Sequence, residues 1–227
     1  MPAAPEHPAP PLVVMMGVSG SGKTTVGAAL AQRLRVPFAD ADDFHPEANI
    51  AKMSAGVPLD DDDRRPWLAA IAGWLAEHGA TGGVASCSAL KRSYRDVLSA
   101  AAPQAVYLHL HGDRDVLAAR VAGRPGHFMP AALIDSQFAT LEVLEPDELG
   151  ASLDVAQPVD TLVDESLALL TSPSGLTPPS GLTPPSGLTS PPGLASPAGL
   201  ASPAGVGAPA GPSSPSLPHS LERRDHA

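Results

Sequence analysis

Short apolar runs alternate with amphipathic segments along the first three-quarters of the chain. The apolar runs predict five short strands, at residues 12–16, 36–39, 83–87, 105–110 and 152–155. Helical periodicity predicts helices at residues 23–35, 46–55, 65–78, 91–101, 115–122, 131–144 and 160–170. Because this alternation is typical of βαβ units, we expect an α/β fold: a parallel five-stranded sheet with helices on both faces.

The two ends of the chain differ in composition from its middle. The 227 residues include 27 Pro and 21 Gly, and from residue 173 onward both recur at a step of six. A six-residue period can indicate a β-helix, but a proline in every repeat removes ladder donors that stacked strands need. We therefore expect a disordered leader at 1–11, a folded domain at 12–170 and a disordered, partly polyproline-II tail at 171–227. The tail is either a partner-binding stretch or an inert extension.

Charge and cysteine content exclude several classes of protein. The formal net charge is −10, which argues against non-specific nucleic-acid binding. The single cysteine, Cys87, cannot form an internal disulfide, and we expect it to be a small buried residue. No apolar run approaches the roughly 18–20 residues of a membrane span, and residues 1–11 lack the basic region of a signal peptide. We expect a cytoplasmic protein with no membrane segment.

A phosphate-binding loop follows the first predicted strand. Residues 17–24 match the pattern Gly-x-x-x-x-Gly-Lys-Thr, in which glycines let backbone N–H groups face an anion. Lys23 can then reach the β- and γ-phosphates, and the Thr24 hydroxyl can ligate Mg²⁺. The alternative is a glycine-rich turn without a ligand, which would need neither the lysine nor the hydroxyl. The predicted nucleotide-binding residues are Gly17, Val18, Ser19, Gly20, Ser21, Gly22, Lys23, Thr24 and Thr25.

Acidic residues follow the second predicted strand. Residues two apart in an extended chain share a face, so we expect Asp40 and Asp42 to point the same way at the sheet edge where ligands bind. One could hold Mg²⁺ through water, and the other could accept a proton from a substrate hydroxyl. The alternative is a solvated acidic turn. In the later run 60–63, we expect one carboxylate to cap the next helix and most of the others to be solvated.

Three groups of basic residues are further candidates. Lys91, Arg92 and Arg95 could bind an anionic substrate, or could form a solvated helix start. Arg120 and Arg124 share a helix face beside a loop with Gly and Pro, which suits a closing lid as well as a plain surface loop. His109 and His111 share a strand face, but no third ligand is evident, so we do not expect a zinc site.

Several longer stretches together resemble one family. Besides the phosphate loop, they are Asp40-Ala-Asp-Asp-Phe-His-Pro46, Asn49-Ile-Ala-Lys-Met53, Pro58-Leu-Asp-Asp-Asp-Asp-Arg-Arg-Pro-Trp-Leu68, Cys87-Ser-Ala-Leu-Lys-Arg-Ser-Tyr-Arg-Asp96, Gly126-His-Phe-Met129 and Ser136-Gln-Phe-Ala-Thr-Leu-Glu142. In this order they resemble the bacterial gluconate kinases of the small P-loop type, which are related to shikimate kinase. Val143 departs from the family pattern, which has proline there, and the six-residue repeats have no counterpart in the family.

This resemblance implies ATP-dependent phosphorylation of D-gluconate at its 6-hydroxyl by a homodimer. It implies that Lys23 bridges the β- and γ-phosphates, that Thr24 and Asp40 position Mg²⁺, and that Asp42 is the base or the orienter of the 6-hydroxyl. Arg120 and Arg124 would close over the γ-phosphate. The candidate substrate-binding residues are Asp42, His45, Lys52, Arg64 and Lys91, with Arg64 or Lys91 on the carboxylate.

Two other readings remain open from the sequence. The chain could be a related small kinase that acts on another hydroxy acid, such as shikimate. It could also be a non-catalytic nucleotide sensor or a GTPase-like switch, although it lacks an Asn-Lys-x-Asp guanine motif. The adenine contacts are only suggested, at Gln157 and Pro158.

Overall fold

The computed structural model describes residues 10–123, 131–172 and 176 of the chain. Five parallel strands form one sheet in the order β2-β3-β1-β4-β5. They are β1 (Leu12–Met16), β2 (Phe38–Asp40), β3 (Gly83–Ser86), β4 (Val106–His111) and β5 (Gly150–Asp154). The predicted fold class is confirmed.

Seven α-helices in the described part of the chain connect and cover these strands. They are α1 (Lys23–Leu34), α2 (Glu47–Ser54), α3 (Asp61–Glu77), α4 (Arg92–Ala101), α5 (Arg114–Ala122), α6 (Ala131–Thr140) and α7 (Val159–Thr171). A short 3₁₀ helix at Ala41–Phe44 follows β2 directly. None of the helices among the described residues is both long and apolar enough to span a membrane.

The central strand β1 is buried on both faces, as its continuous apolar sequence predicts. Leu12, Val14 and Met16 pack in a core with α3 and α4. Val13 and Met15 pack on the opposite face with α1, α5 and α7. Helices on both faces hold the sheet rigid, so its carboxyl edge can present the loops that carry the candidate site.

Several element bounds differ from the predicted ones. The prediction put Pro66 in the first turn of α3, but the helix begins at Asp61 and contains the proline. The cause is a capping box: the Asp60 carboxylate accepts a hydrogen bond from Asp63 N, and the Asp63 carboxylate accepts one from Asp60 N. The cap predicted within 60–63 is therefore present. In addition, β2 is shorter at its start, β5 begins at Gly150 and α6 ends at Thr140.

Parts of the predicted organisation lie outside the described residues. These are residues 1–9 of the leader, residues 124–130 of the predicted lid, and residues 173–175 and 177–227 of the tail. Leu176 is described, and its carbonyl oxygen accepts a hydrogen bond from Gly150 N at 3.2 Å. The limits of the predicted domain at 12 and 170 stay a prediction.

Candidate active site

The loop between β1 and α1 has a backbone that favours glycine. Gly17, Gly20 and Gly22 have φ angles of 137°, 81° and 92°, a region that other residues enter only with strain. A Cβ atom on Gly17 would lie 2.5 Å from the carbonyl oxygen of Leu110, so the two backbones approach too closely for a side chain. No side chain caps the first turn of α1, which begins at Lys23, so its N–H groups can face an anion.

The two side chains that open α1 have the contacts expected at a phosphate site. The Lys23 Nζ donates a hydrogen bond to the Val18 carbonyl at 3.0 Å, which holds the ammonium across the loop. The Thr24 hydroxyl donates to Asp40 Oδ2 at 2.8 Å, and Asp40 Oδ1 accepts a hydrogen bond from Asp42 N. A hydroxyl beside a carboxylate is a hard oxygen donor set, so these residues fit Mg²⁺ shared with phosphate oxygens and water.

Asp40 and Asp42 do not lie along one extended strand, so that part of the prediction is wrong. β2 ends at Asp40, and the chain turns at once into the 3₁₀ helix because the Asp40 carboxylate caps it at Asp42 N. Asp42 is exposed at the sheet edge, where its charge acts on His45. Cys87 is buried as predicted, and burial raises the pKa of its thiol to about 12.

Trp67 of α3 holds the segment that carries Asp42. Its indole N–H donates to the Ala41 carbonyl at 2.6 Å, and both residues are 2 % exposed. The His45 ring stacks on the indole with centroids 4.8 Å apart and planes within 1°. Burial lowers the pKa of His45, against the opposing effect of Asp42. Trp67 lies in one of the motifs that carry the family resemblance, but the sequence did not predict a role for it.

Two of the candidate substrate-binding lysines are already paired with carboxylates of the first turn of α3. Lys52 Nζ contacts both Asp63 carboxylate oxygens at 2.5 and 2.7 Å. Lys91 Nζ contacts both oxygens of Asp61 at 2.8 Å, and the Tyr94 hydroxyl donates to the same carboxylate. Hydrogen bonds from Lys91 and Tyr94 hold the pKa of Asp61 below its ordinary value. These carboxylates are therefore part of the site's surroundings, which the prediction of a solvated run missed.

Arg64 differs from both lysines. In the described part of the chain it is not paired with a carboxylate. Its Nη2 donates a long hydrogen bond of 3.4 Å to the Leu59 carbonyl, and its guanidinium carbon lies 6.0 Å from the centroid of the Tyr94 ring. A guanidinium with donors to spare is suited to bind a carboxylate with two hydrogen bonds.

Arg95 is buried and cannot contact a substrate, so that candidate role is wrong for it, whereas for Arg92, which is paired with carboxylates, the role stays a prediction. Arg95 is 1 % exposed and its guanidinium contacts both oxygens of the Glu148 carboxylate, at 2.5 and 2.9 Å. Arg92 pairs with Asp96 at 2.8 Å and with Asp147 at 2.9 Å. The sequence shows that both arginines follow β3, but not that Asp147 and Glu148, from the segment after α6, are partners of theirs.

Arg120 lies on the side of the phosphate loop away from Asp42's segment. Its Nη2 donates to the Val155 carbonyl at 2.9 Å, and it faces a cavity of about 390 Å³. Residues lining the cavity include Gly20, Ser21, Gly22, Thr25, Gln157 and Pro158. This cavity has room for part of a nucleoside and includes the two residues suggested for the adenine contacts. Arg124 lies outside the described residues.

Gln137 of α6 contacts the phosphate loop from above, a contact that no sequence signal predicted. Its Oε1 accepts a hydrogen bond from Ser19 N at 2.7 Å, and its Nε2 donates to the Ser19 hydroxyl at 3.1 Å. The two residues are 118 positions apart in the chain. The loop is therefore held at one end by its own helix and at the other by α6.

Comparison with known proteins places this geometry in one family. The family model for shikimate kinase matches residues 19–145. The gluconokinase of Gluconobacter oxydans is 46 % identical over 158 residues, covering 69 % of this chain and 89 % of that protein. This chain belongs to the gluconokinase family. The thermosensitive gluconokinase of Escherichia coli K12 is 47 % identical over 137 residues, covering 60 % of this chain and 73 % of that protein.

Solved structures agree with this family assignment. A gluconokinase from Sinorhizobium meliloti is 49 % identical with a TM-score of 0.67, covering 73 % of this chain and 94 % of that one. A shikimate kinase from Bacteroides thetaiotaomicron is 17 % identical with a TM-score of 0.54, covering 71 % of this chain and 99 % of that one; this shows a shared fold alone. The resemblance stated from the motifs is confirmed, with shikimate kinase as a distant relative.

Proposed function

We propose that this chain is a gluconokinase that transfers the γ-phosphoryl group of ATP to the 6-hydroxyl of D-gluconate. The products are 6-phospho-D-gluconate and ADP. The observation that carries the proposal is the phosphate loop with its Lys23 and Thr24–Asp40 contacts, directly beside the Asp42 segment. The relatives named gluconokinase support the same activity. We call the phosphate loop the donor side of the site, and the Asp42 segment with the candidate substrate-binding residues the acceptor side.

Nucleotide binding uses the backbone N–H groups of residues 17–25 and the positive end of α1. Lys23 bridges the β- and γ-phosphates after leaving its contact with Val18. Thr24 and Asp40 are the residues that would hold Mg²⁺, which when bound neutralises charge on the phosphates. Arg120 contributes from the cavity beside α7, and we retain Arg124 as its partner over the γ-phosphate.

Asp42 orients the 6-hydroxyl and accepts its proton as the reaction proceeds. The hydroxyl oxygen forms a bond to the γ-phosphorus, while the bond from that phosphorus to the β,γ-bridging oxygen breaks and its electron pair leaves with ADP. Trp67 keeps this carboxylate in place through the Ala41 carbonyl. Most of the rate enhancement is positioning and charge stabilisation.

Arg64 binds the substrate carboxylate in this proposal. It is favoured over Lys91 because Lys91 is already neutralised by both oxygens of Asp61, whereas Arg64 has no such partner among the described residues. His45, Lys52 and Lys91 are left to contact the hydroxyl groups of the sugar acid.

A coupled assay that measures ADP release with gluconate, shikimate and ATP tests the activity. We expect turnover with gluconate, and loss of turnover by about a hundredfold or more in Lys23→Ala, because the γ-phosphate loses its main cation. Nucleotide binding without phosphoryl transfer to any sugar acid would instead support a sensor, and turnover of shikimate alone would support the other kinase reading.

The acceptor side is tested with two matched pairs of variants. Asp42→Asn should lower kcat by about 10²–10⁴-fold with ATP binding intact, as expected for a lost general base; Asp43→Asn, next to it in the 3₁₀ helix, should not. Arg64→Ala should raise the KM for gluconate and leave that for ATP, whereas Arg65→Ala, whose partner is Asp62, should change neither. Equal effects within either pair would contradict these roles.

We further propose that the enzyme works as a homodimer in the cytoplasm, and that the tail after residue 170 is separate from catalysis. The family resemblance supports the dimer, and the single cysteine is consistent with a reducing compartment. Light scattering measures the mass of the assembly. Removal of residues 177–227 should leave kcat and both KM values unchanged, and a loss of turnover would assign the tail a role in the enzyme.

A further inference from the structure

The contact between α6 and the phosphate loop is chemically specific. Gln137 gives Ser19 both halves of an amide: its oxygen accepts from the Ser19 N–H, and its nitrogen donates to the Ser19 hydroxyl. A carboxamide supplies an acceptor and a donor side by side. A glutamate would lose the donor, and a methionine of similar shape would lose both.

Ser19 lies in the loop whose N–H groups wrap the phosphates in the proposed function, but its own N–H is bonded to Gln137, so the remaining N–H groups of the loop bind the phosphates. Ser19 lies between Gly17, where β1 ends, and Gly20, where the loop turns toward α1. Gln137 Oε1 occupies this donor with a neutral oxygen at 2.7 Å, a distance typical of a good hydrogen bond. The side chain therefore fixes the loop conformation at Ser19, between two of the glycines that shape the loop.

The chain that follows α6 is bonded to the acceptor side of the site. Glu142 N donates to the Leu90 carbonyl at 2.8 Å, and the Glu142 carboxylate accepts from Arg92 N at 2.5 Å. These bonds flank Lys91. Gln137 and Glu142 are five positions apart, so one short piece of backbone connects the phosphate loop to the segment that leads into α4.

We propose that Gln137 is a positioning residue for phosphoryl transfer. Through Ser19 it fixes the position of the phosphate loop relative to the terminal phosphate of ATP. Through α6 it fixes the position of the same loop relative to the acceptor side of the site. ADP lacks the terminal phosphate, so Gln137 matters for ATP and little for ADP. The proposal deepens the gluconokinase function and rests on it for its kinetic part.

The test compares binding of ADP and of a non-hydrolysable ATP analogue by calorimetry, alongside gluconate kinetics. Gln137→Met should lower kcat about tenfold and weaken the ATP analogue several-fold, with the Kd for ADP and the KM for gluconate within about twofold, as expected from the loss of one or two hydrogen bonds. Gln137→Glu should weaken the analogue further, because a carboxylate then faces the phosphates.

Two further variants separate positioning from general stability. In a Ser19→Ala background, Gln137→Met should have a smaller effect than in the wild type, because one of its two bonds is already gone. Gln104→Met is the matched control, since Gln104 is another glutamine whose amide is hydrogen-bonded, donating to the Gly79 carbonyl away from the site. It should change no binding or kinetic constant.

A merely structural Gln137 would give a different pattern. Equal weakening of ADP and the ATP analogue, additive effects with Ser19→Ala, or an unchanged kcat in Gln137→Met would each overturn the proposal. If the wild type does not phosphorylate gluconate, the proposed function fails, but the ratio of analogue to ADP affinity still decides the role of Gln137. If Gln137→Met does not fold, the ratio of analogue to ADP affinity is measured in Gln137→Glu and in Ser19→Ala instead.

Discussion

Replacing Trp67 by phenylalanine separates the anchoring of the Asp42 segment from the rest of the fold. The substitution keeps an aromatic ring that can stack on His45, but it removes the indole N–H that bonds the Ala41 carbonyl at 2.6 Å. Ala41 directly precedes Asp42. The phosphate loop has no hydrogen bond to Trp67 among those of the described residues, so the perturbation acts on the acceptor side.

The expected size of the effect follows from burial. The Ala41 residue is 2 % exposed, so its carbonyl loses a donor that water does not readily replace. An unsatisfied buried acceptor costs about 1–3 kcal/mol, and the smaller ring adds a cavity term. For a folded unit of this size, 1 kcal/mol corresponds to a shift in Tm of about 2–4 °C. We expect Trp67→Phe to lower the Tm by several degrees and leave the protein folded.

The assay measures ADP release against gluconate and against ATP separately. We expect kcat to fall about tenfold, because the carboxylate that orients the 6-hydroxyl is no longer held through Ala41. The KM for ATP should stay within about twofold. Trp74→Phe is the control. Trp74 lies on the same helix and stacks on His78 with ring centroids 4.1 Å apart, so this variant makes the same change from indole to phenyl away from Asp42.

Either of two results would refute this role of Trp67. If Trp67→Phe and Trp74→Phe lower the Tm by similar amounts and neither changes kcat, then the indole N–H of Trp67 contributes stability alone. If both lower kcat equally, the effect is a general loosening of α3.

Three further predictions concern single positions. Gly20→Ala should weaken ATP binding, because a Cβ there would lie 2.7 Å from a valine methyl at a φ of 81°, whereas Gly73→Ala, with nothing within 4 Å, should not. Cys87 should resist a thiol reagent until the protein is denatured, since burial raises its pKa to about 12. Burial also lowers the pKa of His109 from 6.5 to about 4; the unfolded state therefore binds a proton first as pH falls, and stability should drop by about 2 kcal/mol from about pH 7 to about pH 5. Urea unfolding of His109→Gln should show a flatter pH dependence over this range than unfolding of the wild type.

Local signals explain most of what could be predicted about the fold. The strand β1, the loop at 17–22 and the start of α1 are encoded within a dozen residues, because glycines, a lysine and a hydroxyl at fixed spacing have few other uses. The alternation of apolar runs and helical periods predicted the layers. The order β2-β3-β1-β4-β5 was not predicted, since it depends on how each crossover packs.

Local signals also misled where two of them competed. Pro66 suggested a helix start, but the Asp60–Asp63 capping box lies earlier in the chain and satisfies more of the free N–H groups. The spacing of Asp40 and Asp42 suggested one strand face, but the Asp40 side chain bonds the next turn of backbone. Short polar side chains can bond either to ligands or to their own chain, and spacing alone does not say which.

The sequence by itself therefore determined the fold class, the phosphate loop and the family. The tertiary structure alone decided which charged groups are committed to each other: Lys52 to Asp63, Lys91 to Asp61, and Arg95 to Glu148. It also brought Gln137 onto Ser19. These partners are between 11 and 118 positions apart, and a contact across such a distance exists only once the sheet and its helices have packed.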